Sequence, residues 1–428
     1  MLVALDLAAP VRPPFAGPVG PPLAELDWEA SLRELALLAE TAGAMVVGTL
    51  VQRRRQPDAT FFLGRGKVQE VRQLAAGQGA DLVIADSDLS PGQQRNLERE
   101  LALPVIDRTG LILDIFAQHA RSNEGKIQVE LAQLSYNLPR LTGRGVALSR
   151  LGGGIGTRGP GETKLEVDRR RIRRRITVLN RQVAQISRTR SQQRRARTLS
   201  QVPTAGLVGY TNAGKSTLLN ALSGAQVLVE DKLFATLDPT TRRVALPDGL
   251  AVLVSDTVGF IRRLPHSLVH AFRATLEEVL AADLLLHVID ASHPEAREQH
   301  EAAQQVLGEL GALDKPTITI FNKLDLVGAR EEVAQWAARH RPSVLISAAT
   351  GEGLGELRAV LTRLAASQLV LVEVMIPFGR EELRALAHER GRVLTEEFTE
   401  QGCRLRVELP VEVANRLQQL LVPAGTAA

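Results

Sequence analysis

The 428-residue chain is long enough for two to four domains that each bury a core. With 44% hydrophobic and 23% charged residues it has the composition of an ordinary globular protein, and its single cysteine, Cys403, excludes an internal disulfide framework or a cysteine-rich metal site. The net charge of +4 conceals an imbalance: residues 139–200 hold seventeen Lys/Arg against Glu162, Glu166 and Asp168, a net +14 that leaves −10 on the rest. One basic segment on an acidic molecule is the asymmetry of a nucleic-acid contact.

Residues 1–22 are rich in proline and glycine and read as a flexible tail. The start, Met1 to Asp6, lacks a basic leader, and no uncharged stretch is long enough to span a bilayer, so a cytoplasmic protein is expected. Residues 23–115 alternate as a small α/β subdomain: helix 28–42, strand 45–52, helix 67–76, strand 81–86, helix 91–101 and strand 103–106.

Residues 116–200 carry two heptad-type seams, Ile127, Leu131, Leu134, Leu138 and Ile172, Ile176, Leu179, Val183, Ile186. The polar, glycine-rich stretch 142–161 lies between them, which predicts an antiparallel helical hairpin with a flexible tip. Arg169, Arg170, Arg171, Arg173, Arg174 and Arg175 would surround the second seam. A solvated helix usually interleaves glutamates with its basic residues, and few acids stand here, so these arginines, with Arg158 and Lys164 at the tip, are candidate RNA contacts.

Residues 201–367 alternate strand and helix as a doubly wound, mostly parallel α/β sheet, with strands at 205–209, 251–256, 284–290, 317–322 and 344–347. Residues 368–428 read as a small α/β appendage with strands at 369–376 and 404–409 and helices at 381–390 and 411–421. Gly209-Tyr210-Thr211-Asn212-Ala213-Gly214-Lys215-Ser216, with Thr217 behind, joins a strand to a helix. Such a turn aims backbone N–H groups and a helix dipole at an anion, with Lys215 for the β- and γ-phosphates and the Ser216 hydroxyl for Mg²⁺.

Asn322-Lys323-Leu324-Asp325 ends a later strand. The Asp325 carboxylate matches the two adjacent donors of guanine, which adenine lacks, so GTP is the expected nucleotide. Lys323 would lie over the base, Asn322 would tie this loop to the phosphate loop, and Ser347-Ala348-Ala349 would place a backbone amide on guanine O6. Asp256-Thr257-Val258-Gly259 closes another strand; Asp256 would hold Mg²⁺ through water and the Gly259 amide would sense the γ-phosphate. Phe234-Ala235-Thr236-Leu237-Asp238, followed by Thr240 and Thr241, lies between. A threonine hydroxyl there would complete the metal shell, Thr236 being preferred over Thr240 and Thr241. Residues 234–241 and 256–265 are therefore the expected switches.

Ras-like proteins carry a water-orienting glutamine where this chain has Phe260. Slow intrinsic hydrolysis, raised by a partner, is expected. Asn212 opens a second reading, in which it helps hold K⁺ beside the phosphates; that it only stabilises the loop stays equally open.

The chain resembles the HflX family of GTPases over roughly residues 25–420. The resemblance rests on Phe62-Leu63-Gly64-Arg65-Gly66-Lys67, Asp107-Arg108-Thr109-Gly110, Gln128-Val129-Glu130-Leu131-Ala132-Gln133-Leu134 and Gly159-Pro160-Gly161-Glu162-Thr163-Lys164-Leu165-Glu166, besides the phosphate loop and residues 234–238. Lys164 stands where many relatives carry glutamine. The resemblance implies Ser216 and Thr236 as Mg²⁺ ligands, association with the large ribosomal subunit and its RNA, and splitting of stalled ribosomes under stress. Some members are reported to bind ATP through the N-terminal part, but no helicase motif is visible here. The competing readings are a GTP-regulated RNA-remodelling or RNA-modifying factor acting off the ribosome, for which no second cofactor site is visible, and a non-hydrolysing adaptor. A monomer is expected.

Overall fold

The computed structural model describes residues 1–7, 28–141, 164–200, 202–224, 233–234, 236–247, 250–262, 278–367 and 369–421. They group into two compact units. The first takes the described residues up to Thr189 together with 233, 234, 236–238, 261 and 262; the second takes the others. This grouping divides the chain differently from the sequence, which keeps 116–200 apart from 23–115 and assigns all of 201–367 to one domain.

The first unit is built on a parallel sheet of order β2-β1-β3-β4. Its strands are β1 (Leu2–Leu7), β2 (Thr49–Arg54), β3 (Val83–Ala85) and β4 (Val105–Asp107). The central β1 corrects the reading of residues 1–22 as a tail: Leu2 to Leu7 pair with Thr49 to Arg54 on one side, and Leu2 and Val3 with Ile84 and Ala85 on the other. The run Leu2-Val3-Ala4-Leu5 is a short strand buried on both faces, a pattern masked by the Pro/Gly-rich sequence after it. Residues 8–22 of that prediction lie outside the described residues. The strand predicted at 45–52 begins later, at Thr49, and Met45 is 82% exposed.

Helices α1 (Trp28–Thr41), α2 (Arg65–Gly77) and α3 (Pro91–Leu101) accompany this sheet. The start of α3 is fixed locally: the Ser90 hydroxyl accepts from the Gln93 N–H, Gln93 Oε1 accepts in turn from the Ser90 N–H, and Pro91 occupies the first turn.

Asp107 ends β4 and caps α4 (Arg108–His119), accepting from the Gly110 N–H at 2.9 Å. The same carboxylate accepts from Tyr136 Oη at 2.7 Å, Arg140 Nη2 at 2.9 Å and the Leu89 N–H at 3.1 Å. Burial and the Asp107 charge push the Tyr136 phenol well above its ordinary range. Arg108, only 2% exposed, donates to Asp86 at 2.8 Å and Glu34 at 2.6 Å, while Ser31 Oγ donates to Asp86 at 2.7 Å. The motif 107–110 is thus the knot joining α1, β3 and α4 to the helix that follows.

That helix, α5 (Asn123–Asn137), buries Gln128, Val129 and Ala132, and α4 is its main neighbour. The seam read from Ile127, Leu131, Leu134 and Leu138 is only half-buried, so the face packed deepest is not the predicted one. α6 (Lys164–Ser200) fully buries Leu179 among its seam positions; Ile172, Ile176, Val183 and Ile186 are half-buried. Arg175 Nε and Nη2 each meet the Glu130 carboxylate of α5 at 2.7 Å, a two-pronged pair that draws the Glu130 carboxyl below its usual range.

The second unit contains a six-stranded sheet of order β10-β9-β8-β5-β7-β6. The strands are β5 (Thr204–Gly209), β6 (Thr240–Ala245), β7 (Ala251–Asp256), β8 (Leu284–Asp290), β9 (Thr317–Asn322) and β10 (Ser343–Leu345). All pairs are parallel except β6 with β7. Every residue of β8 is buried, as a central strand covered on both faces requires. Helices α7 (Lys215–Ser223), α8 (Ala296–Glu309), α9 (Arg330–Ala338) and α10 (Leu354–Ser367) alternate with the strands.

The appendage is an antiparallel sheet of order β11-β13-β12, from β11 (Leu369–Ile376), β12 (Arg392–Thr399) and β13 (Gly402–Pro410), with α11 (Glu381–Arg390) and α12 (Val411–Leu421). The sequence reading missed β6 and β12. Both are edge strands with weak alternation, which carry the least periodic signal.

Candidate nucleotide site

The loop between β5 and α7 depends on its backbone. Gly209 has φ +144°, and a Cβ there would stand 2.2 Å from the Val288 carbonyl oxygen of β8. Gly214 has φ +91°, and a Cβ would meet Asn322 Nδ2 at 2.3 Å. Both glycines are therefore demanded by conformation and by close approach. Asn212 takes φ +60°, a left-handed position that asparagine tolerates.

Lys215 is buried at the first turn of α7, where its Nζ donates to the carbonyls of Tyr210 at 2.7 Å and Gly209 at 3.2 Å. Burial lowers its pKa to about 8, against the opposing pull of Asp256, so the ammonium still predominates at pH 7. Ser216 Oγ donates to Asp256 Oδ2 at 2.6 Å. A hydroxyl and a carboxylate at one point form a hard oxygen donor set, which fits Mg²⁺. Among the described residues no three His, Cys, Asp or Glu side chains gather into a metal site.

The Asp256-to-Gly259 turn lies directly on this loop. Phe260 N–H donates to the Gly209 carbonyl at 3.0 Å, and the Thr211 N–H donates to the Phe260 carbonyl at 2.7 Å. A Cβ on Gly259 would stand 2.7 Å from Thr211 Cα and 2.9 Å from Lys215 Nζ, so only glycine lets the two segments approach this closely. Thr257 turns its hydroxyl onto the Leu207 carbonyl at 2.6 Å and so anchors the turn to β5. Val258 and Phe260 are buried.

At the base end, Asn322 Nδ2 donates to the Ala213 carbonyl at 2.9 Å, while its Oδ1 accepts from the Ala348 N–H at 2.9 Å. One side chain thus joins the phosphate loop to the loop after β10. Ser347 Oγ donates to Asp325 Oδ1 at 2.6 Å, Leu324 is buried and Ala349 is exposed. Lys323, at φ +63°, places Nζ 2.7 Å from Asp290 Oδ2. Asp290 Oδ1 also accepts from the Ser292 N–H at 3.0 Å and Ser292 Oγ at 2.6 Å. Sequence reasoning missed Asp290, although its place at the end of a buried strand was a usable signal.

Thr240 and Thr241, the alternatives to Thr236, lie in β6, where Thr240 pairs with Asp256 and the Thr241 hydroxyl bonds Ser255 Oγ at 2.8 Å. Phe234, Thr236, Leu237 and Asp238 group with the first unit; Ala235 lies outside the described residues. Of the candidate RNA contacts on α6, Arg170, Arg171, Arg173 and Arg174 are exposed, Arg169 is half-buried and Arg175 is paired with Glu130. Arg158 and the glycine-rich tip lie outside the described residues, as does the side chain of Lys164. No helix among the described residues is long and apolar enough to cross a membrane.

Three family models match the chain in succession: "GTP-binding GTPase N-terminal" over residues 29–117, "GTP-binding GTPase Middle Region" over 119–197 and "50S ribosome-binding GTPase" over 204–323. The GTPase HflX of Caldanaerobacter subterraneus subsp. tengcongensis is 48% identical over 394 residues, covering 92% of this chain and 91% of the relative. That of Escherichia coli K12 is 43% identical over 388 residues, with 90% and 91% covered. A crystal structure of a GTP-binding protein from Sulfolobus solfataricus in complex with GDP aligns at TM-score 0.42 and 26% identity, covering 86% of this chain and 99% of that one. With a P-loop GTPase sheet, a loop built for phosphate and relatives of this identity along nearly its whole length, the chain belongs to the HflX family of GTPases and hydrolyses GTP.

Proposed function

We propose that this GTPase works on the large ribosomal subunit, hydrolyses GTP slowly alone and faster on the subunit, and uses the cycle to split or rescue stalled ribosomes. The observation that carries this reading is the exposed arginine face of α6, a row of phosphate-matching groups in the most basic segment of the chain. The description of the family model over residues 204–323, "50S ribosome-binding GTPase", supports it.

In this reading Lys215 leaves the Gly209 and Tyr210 carbonyls for the β- and γ-phosphates, and the loop amides cradle the remaining oxygens. Ser216 and Thr236 would hold Mg²⁺, with Asp256 acting through water. The ion, when bound, neutralises charge that develops on the transferred phosphoryl group. Gly259 offers its amide to the γ-phosphate, and Asp325, steadied by Ser347, receives the guanine donors. Phe260 brings no polar group to the attacking water, so that group comes from the partner. Asn212 beside a K⁺ ion would add positive charge at the phosphates, and equal rates in K⁺ and Na⁺ buffers would remove that part of the reading. The protein acts as a cytoplasmic monomer.

Cosedimentation with purified large subunits tests the proposal. Binding should be strong with a non-hydrolysable GTP analogue, weak with GDP and steeply reduced by salt. Equal binding in both nucleotide states would overturn it.

A further inference from the structure

Asp325, the carboxylate read as receiving the guanine donors, stands on a single 3-10 turn, Leu324–Leu326, entered through Lys323 in the left-handed region. Asp325 and Leu326 are exposed, and a turn this short does not hold a side chain in place by itself. Two bonds from outside steady its backbone. The Leu324 N–H donates to the Ile346 carbonyl at 3.2 Å, and the Leu324 carbonyl accepts from Arg330 Nη2 at 3.2 Å. Arg330 opens α9, and its guanidinium also grips Glu352, Nη1 on Oε1 at 2.8 Å and Nη2 on Oε2 at 3.2 Å.

Glu352 lies in the loop after β10, the loop that also carries Ser347. Its carbonyl accepts from the Ser347 N–H at 3.0 Å, and Ser347 Oγ donates to Asp325 Oδ1 at 2.6 Å. The path of this loop is set by Gly353, which has φ +76° and where a Cβ would collide with the Leu345 carbonyl oxygen. Leu324, Arg330, Glu352, Ser347 and Asp325 thus close a ring of bonds that lies wholly inside the second unit.

An ion pair whose side chains are both about half exposed adds little to stability. What sets this one apart is the third bond. A planar guanidinium can meet both carboxylate oxygens and still reach a carbonyl, which an ammonium cannot do. Arg330 therefore ties the peptide before Asp325 to the loop that holds one of its oxygens. Guanine offers a carboxylate two adjacent donors, whereas hypoxanthine lacks the 2-amino group and offers one. A carboxylate fixed through its backbone meets both donors; one free to swing keeps a single bond and loses the other.

We propose that Arg330 and Glu352 are specificity-determining positioning residues for GTP: their clamp fixes the turn of Asp325 against the loop of Ser347, so that Asp325 reads the 2-amino group of guanine. The proposal rests on the reading of Asp325 as the base-binding carboxylate.

Equilibrium titration of the full-length protein with GDP and with inosine diphosphate tests this, because the two differ only at the 2-amino group and neither is hydrolysed. We expect Arg330→Ala and Glu352→Ala each to weaken GDP binding by about five- to tenfold and inosine diphosphate binding by at most about twofold, so that the ratio of the two affinities shrinks. Arg330→Lys keeps the charge but not the fork and should follow Arg330→Ala, while Glu352→Gln keeps an acceptor and should recover part of the ratio. The double alanine variant should lose no more than either single one, and the melting temperature of the nucleotide-free protein should move little in all of them. An unaltered ratio in Arg330→Ala, or an equal loss for the two nucleotides, would overturn the clamp. Asp325→Ala with an unaltered ratio would instead remove the base reading, and the clamp with it.

Discussion

The guanine end of the second unit and the α1–β3–α4 junction of the first are both assembled from buried polar side chains, but those side chains meet in different ways. Asp290 and Asn322 end neighbouring parallel strands and Ser347 follows the next, so sheet order alone brings them to one edge. Glu34, Asp86 and Arg108 come from three separate elements, and Arg108 is buried between two carboxylates with little water to share the charge. On the proposed reading the first arrangement also receives the guanine base. The second is fixed, because each partner would be stranded without the others.

Substitutions should separate the two regions. Arg108→Ala strands Asp86 and Glu34 together and should cost about 3–5 kcal/mol, read as a large fall in the denaturant midpoint at unchanged slope. A loss comparable to that of an exposed arginine would mean the junction is wetter than its geometry.

A second internal cluster sharpens the contrast through pH. His287 stacks on His300 with centroids 4.9 Å apart, and His300 meets His340 at 5.0 Å. Burial pushes His287 to about 3 and His300 to about 4, with charge repulsion within the cluster adding to both, from the ordinary 6.5. Between those values the unfolded chain binds more protons than the folded one. The stability is therefore present above about pH 6.5 and is lost as pH falls, by about 2 kcal/mol between pH 7 and 5 from His287, with a smaller, solvent-screened share from His300. His300→Phe should flatten thermal stability over that interval; an unchanged slope would assign the acid sensitivity elsewhere.

Asp290→Ala releases Lys323 from its 2.7 Å contact without touching the fold of the first unit. GTP affinity should fall about tenfold, with the melting temperature of the GTP-free protein little changed, because a single charge-assisted contact is worth about that much. Arg175→Ala should do least: its pair with Glu130 is well formed but exposed, and a thermal melt should not resolve the change.

Much of the second unit was legible because its signals are local. Gly209 and Gly214 mark left-handed or crowded backbone, Lys215 and Ser216 follow at fixed spacing, and Asn322 to Asp325 end an apolar run. Hence the sheet and its four central strands could be read in advance, and the residues named for the nucleotide stand at or just beyond the ends of those strands. The first unit resisted for physical reasons. Leu2 to Leu7 are recognisable as a strand only once β2 and β3 are beside them. The helical face carrying Val129 and Ala132 could not be preferred over the leucine seam without knowing that α4 covers it. Residues 107–110 were visible as a resemblance, but their meaning lies in Glu34, Asp86, Tyr136 and Arg140, too distant in sequence for periodicity to connect. Ser122 and Gly125, which receive Asp238 more than a hundred residues away, left no signal at all.

Phosphate release from GTP with and without purified large ribosomal subunits, at low and moderate salt, tests the central claim most directly. The account predicts a slow rate for the chain alone, a rise of several orders of magnitude on the subunit, and loss of that rise as salt screens the arginines of α6. An isolated chain that already turns over tens of GTP per second, or a rate indifferent to the subunit, would contradict it.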